Sequence, residues 1–78
     1  SYVIPTYPEG VNKEIDIRLK FTIKPDGTVG SIFLLTKADT RLENAAINSL
    51  WQWRFEELSP NQAQVDQTAI IVFPYRLQ

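Results

Sequence analysis

The chain reads as an α+β domain, a three-stranded antiparallel sheet formed in the order strand, strand, helix, strand, with spatial order 2-1-3 and one helix packed on one face. Three observations carry that expectation. IDIRLKFTI, residues 15–23, alternates apolar and polar residues without a break. ADTRLENAAINSLWQWRF, residues 38–55, changes to a helical period, and DQTAIIVFPYRLQ at the end of the chain returns to β composition.

SYVIPTYPEG opens the chain as an extended lead-in over residues 1–14, because each residue before Pro5 and Pro8 is pushed toward β or polyproline geometry. In the first strand Ile15, Ile17, Leu19, Phe21 and Ile23 form a buried face, while Asp16, Arg18, Lys20 and Thr22 form a wet one. KPDGT supplies turn chemistry: Pro25 presets φ, Asp26 can bond the backbone, and Gly27 accepts a positive φ. VGSIFLL, residues 29–35, therefore returns as the second hairpin strand. Its apolar residues Val29 and Ile32 stand three apart, which predicts a bulge at Gly30–Ser31.

Thr40 with Glu43 fits a capping box at the start of the helix, and Asp39 is a rival cap one residue earlier. Leu42, Ala45, Ala46, Ser49, Leu50 and Trp53 line one stripe at helical spacing. Trp51 falls about 180° from Leu42 on the helical wheel, with Ile47 as its apolar neighbour. EELSPNQAQ ends the helix and forms a loop. The last strand carries apolar residues on both parities, Ala69, Ile71, Phe73 and Tyr75 against Ile70 and Val72.

At 78 residues the chain makes one small domain, with residues 15–78 as its core. It has no Cys and no His, so neither a disulfide nor the commonest transition-metal ligand is available, and no metal or cofactor is expected. Eight basic and nine acidic residues give a net charge of −1. The scattered cations argue against a surface that tracks nucleic-acid phosphates. No apolar run is long enough to span a membrane. Ser1 in place of Met leads us to expect an excised or processed piece of a longer parent. Catalysis is not expected: the acids are spread through turns and wet faces, Glu56–Glu57 beside Arg54 form a solvated cluster, and "KPDGT" offers too few oxygen ligands for a calcium loop.

The motifs carry a resemblance. PTYP at 5–8, PDGTV at 25–29, LENAAINSLWQWRF at 42–55 and the final β run together resemble the C-terminal domain of TonB-family energy transducers. Tyr7, Pro8, Pro25, Asp26, Gly27, Val29, Leu42, Ala45, Ala46, Trp53, Arg54 and Phe55 fall in register with the family pattern. The resemblance implies a periplasmic domain whose parent is held in the inner membrane by an N-terminal helix beside a proton-driven motor complex. It implies a partner, the Ton box of an outer-membrane transporter for siderophores, cobalamin or similar cargo, captured by strand addition to the last strand. The alternative is a TolA-like or other envelope module that is structural or dimerising and has no Ton-box affinity.

The expected docking ladder is Gln67, Thr68, Ala69, Ile70, Ile71, Val72 and Phe73, shortened at its far end by Pro74, which also marks an edge strand. Ile4 and Tyr7 are candidate contacts from the lead-in, although Ile4 stands where some transducers carry a polar Gln. Trp51 has two readings: cover by the lead-in residues Tyr2, Val3, Ile4 and Tyr7, or an interface patch shared with Ile47. The second face of the sheet carries apolar residues that need cover, and the resemblance implies an intertwined or edge-paired homodimer, expected by a small margin over a monomer whose lead-in folds back over that face.

Overall fold

The computed structural model describes Tyr2, Gly10 and residues 14–76. Within them β1 runs Ile15–Ile23, β2 Val29–Leu34, α1 Thr40–Trp51 and β3 Gln67–Tyr75. β1 lies in the centre and pairs antiparallel with both neighbours, giving the order β2-β1-β3. The expected α+β architecture is the one formed. Ile4 and Tyr7 lie outside the described residues.

Alternation in β1 decides which way the sheet faces. Ile17, Leu19 and Phe21 are buried, and they pack with Leu42, Ala46 and Leu50 of the helix and with Val29, Phe73 and Tyr75. Asp16, Arg18 and Lys20 are exposed on the opposite face. β2 keeps its apolar side chains inward through the bulge. Thr22 pairs with Ser31 but Ile23 pairs with Val29, so Gly30 is the extra residue, and Val29 and Ile32 reach the same side. A side chain at Gly30 would stand 2.9 Å from Thr22 Oγ1, which explains the residue choice.

The helix takes the rival cap at its start and stops sooner than expected at its end. Asp39, not Thr40, is the N-cap: its Oδ1 accepts the Arg41 N–H at 2.9 Å, and Glu43 Oε2 accepts the Ala38 N–H at 2.7 Å. The reciprocal cap is thus built one residue early, with the two acids at the positive end of the helix dipole. At the other end the helix stops at Trp51 with Gln52 as C-cap, so Trp53 follows the helix and does not continue its stripe. The reason lies in the chain that comes next, where Phe55 N–H donates to Gly27 O at 2.8 Å and Arg54 bridges Thr28. Those residues must be extended, and a helix carried through them would break both links.

Candidate partner-binding edge

The candidate ladder on β3 is built from backbone, so its geometry follows from register. In an antiparallel pair, opposed residues alternately point their N–H and C=O groups at each other or away. Arg18 points toward β2, because its carbonyl accepts the Leu35 N–H at 2.9 Å and its N–H donates to Thr36 Oγ1 at 3.1 Å. Arg18 is opposite Val72, so Val72 must direct its own N–H and C=O away from β1, toward the free side of the sheet. Period two extends this to Thr68 and Ile70. Pro74 has the same parity, and there its missing N–H removes no bond to β1.

The seven expected residues therefore divide. Thr68, Ile70 and Val72 present backbone groups outward; Gln67, Ala69, Ile71 and Phe73 spend theirs on Ile23, Phe21, Leu19 and Ile17 of β1. Among the described residues, no backbone hydrogen bond reaches the outward groups. This parity was available from Pro74 alone, since a proline inside a strand marks which residues face out.

β2 is also an edge, but a poorer one. It is six residues long and kinked at Gly30, whereas β3 runs nine residues with no register shift against β1. A bulged, short edge resists pairing with another chain, and a long regular edge invites it.

An aromatic group closes the helix side of the sheet next to β3. Trp53 meets Phe73 edge-on at 5.6 Å between ring centres, Phe55 stacks on Phe21 at 5.9 Å, and Trp53 and Phe55 lie 6.0 Å apart. Tyr2 sits on this pair, 4.7 Å from Trp53 and 5.6 Å from Phe55. That placement gives Tyr2 a seat on the Trp53–Phe55 pair, whereas the sequence offered it as cover for Trp51. Trp51 itself is 43% exposed, and Ile47 beside it is partly buried against the core. Arg54, expected from the sequence to sit in a solvated cluster with Glu56–Glu57, donates from Nη1 to the carbonyls of Trp51 at 3.1 Å and Trp53 at 2.8 Å. A cation on the last carbonyls suits the negative end of the helix dipole.

The two halves of the sequence pattern meet here. Gly27 has φ +87°, and a Cβ on it would lie 2.1 Å from the carbonyl oxygen of Phe55. Leu58 N–H donates to Pro25 O at 2.9 Å, so the segment after the helix runs along the PDG turn. Asp26 Oδ1 accepts from Thr28 N–H at 3.0 Å and Thr28 Oγ1 at 2.6 Å. These bonds, the side-chain one first, hold the Asp26 carboxyl below its ordinary pKa.

Among the described residues, no helix is long and apolar enough to cross a membrane, and no cluster of acids suits a metal ion. Neither the curated proteins nor the solved structures compared with the chain give a match. The family model for the Gram-negative bacterial TonB protein C-terminal does match, over residues 5–77, and so spans PTYP, PDGTV, the helix and β3 together. That family is periplasmic, non-catalytic and associated with energised transport through outer-membrane TonB-dependent receptors. With the PDG turn and the WRF segment in contact and the family model matched over residues 5–77, this chain belongs to the TonB C-terminal domain family.

Proposed function

We propose that this domain captures the Ton box of an outer-membrane transporter as an added strand on β3, and passes to it force generated by an inner-membrane proton-driven motor acting through the rest of the parent protein. The reading rests on one observation, the outward N–H and C=O groups of Thr68, Ile70 and Val72 on a regular nine-residue edge. Three residues with both groups directed outward support about six backbone hydrogen bonds, each contributing roughly 1 kcal/mol net, less the ordering of a flexible peptide. Backbone bonds alone therefore give a Kd no tighter than roughly tens of micromolar, weak enough for release once force has been delivered. Siderophores or cobalamin are the cargo class this reading assigns to the transporter.

Two proline variants test it. Val72→Pro deletes an outward donor and leaves the bonds to β1 intact, so it folds and loses at least tenfold in affinity for a synthetic Ton-box peptide in calorimetric titration. Ile71→Pro removes a bond to Leu19 inside the sheet and lowers the melting temperature instead. Thr68→Ala keeps its backbone groups and binds as wild type does. A folded Val72→Pro protein that binds the peptide at full strength overturns strand addition on this edge, and favours the structural envelope module.

A further inference from the structure

The sheet face opposite the helix is a second surface that the edge ladder does not use. Register places its side chains in rows: Phe33, Lys20 and Ile70 in one, Leu35, Arg18 and Val72 in the next. Phe33 is 58% exposed, Leu35 51%, Ile70 61% and Val72 39%. Four apolar side chains thus flank two cations. Neither Arg18 nor Lys20 has an ion-pair partner among the described residues, whereas Asp16, on the same face of β1, is held by Arg76 at 2.5 Å. Local charge on this face is positive although the chain as a whole carries −1.

We propose that this face binds an acidic stretch, dotted with apolar residues, that continues from the segment captured on β3; the inference rests on the strand-addition reading above. Continuity argues for one partner: Ile70 and Val72 offer their backbone to the edge and their side chains to the face, so a chain leaving the docked strand turns directly beneath them. Charge complementarity sets its chemistry, since carboxylates reach Arg18 and Lys20 while apolar neighbours lie on Phe33 and Leu35. Size argues against a second copy. Three strands about 4.8 Å apart and four residues along each give a footprint of roughly 200 Å², well below the roughly 800 Å² per partner of a stable interface. Two copies face to face also bring their unpaired cations together.

The experiment titrates two synthetic peptides into the domain by calorimetry. The short peptide is a seven-residue Ton-box strand; the long one adds a glycine turn and six residues alternating glutamate with leucine. We expect the long peptide to bind about tenfold more tightly at low salt, a gain that 0.5 M salt suppresses. The double variant Arg18→Gln/Lys20→Gln and the single variant Phe33→Ser should each lose most of that gain while binding the short peptide as wild type does. A long peptide that binds no better than the short one, or a gain that survives both variants, overturns the proposal with the strand-addition reading intact. Failure of the short peptide to bind wild type overturns that reading, and the proposal that rests on it falls with it. Dimerisation that Phe33→Ser abolishes, or binding to anionic phospholipid vesicles that the double variant abolishes, assigns the face to a second copy or to lipid and likewise overturns the proposal.

Discussion

Gly27 shows at the scale of one residue why PDG and WRF occur together in this chain. PDG by itself announces a turn, and any turn at the end of a hairpin would satisfy the sequence up to that point. The fold asks more, because the Phe55 carbonyl lies where a Cβ on residue 27 would be, and the backbone there has φ +87°. Gly27→Ala should therefore cost more than about 2 kcal/mol, from left-handed strain plus displacement of the segment after the helix; chemical denaturation measures it, and a loss under 0.5 kcal/mol refutes the contact. Asp26 makes a milder, pH-dependent contribution. Its carboxyl is held below the ordinary value chiefly by the Thr28 hydroxyl, so the ionised form favours the folded state. The sign follows: this stabilisation is present above about pH 4 and is lost as pH falls through the lowered native value. Because Asp26 is exposed, the effect is small, and Thr28→Val should flatten the acid limb of the melting temperature against pH.

Elements were legible in the sequence to the extent that their signals are local. Strand alternation in β1 fixed its buried face, and the three-residue gap from Val29 to Ile32 located the bulge at Gly30, because both are properties of neighbouring residues. Helix ends were less legible. Asp39 and Thr40 are both good caps, and the choice turns on whether Glu43 reaches the N–H of Ala38, a matter of a single residue of phase. Asp39→Ala should lower stability by about 1 kcal/mol in denaturant titration, whereas Thr40→Ala should change it by less than half as much. The C-terminal end depended on a partner distant in the chain: Trp53 continues the helical stripe on paper, but the bond from Phe55 to Gly27 draws the chain out of the helix first. For the candidate site, the sequence located the strand and its proline. The division into outward Thr68, Ile70 and Val72 and inward Ala69, Ile71 and Phe73 needed the register with β1.

At the scale of the whole molecule, the described residues form a three-stranded sheet with two edges and one face that no other described element covers, and that bears on assembly. The regular edge that suits a peptide also suits a second copy of itself. With Ile70 on a two-fold axis, antiparallel pairing of two β3 strands sets Ile70 opposite Ile70 and Thr68 opposite Val72, satisfying the outward groups of both copies in one continuous sheet. Such a pair uses the groups a Ton box would take, so dimerisation and capture should compete. We expect light scattering across a dilution series to show mass rising from one chain toward two at high micromolar concentration. Added Ton-box peptide should return it to one chain, because whatever binds the monomer alone shifts the equilibrium by mass action. Val72→Pro should be monomeric throughout, having lost a donor at each of two symmetric positions, while Phe33→Ser should dimerise as wild type does because its side chain lies off the edge. A constant monomer mass at the highest concentration refutes edge pairing. A dimer that persists in Val72→Pro, or that binds peptide without dissociating, places the contact elsewhere on the molecule and leaves β3 free for its partner.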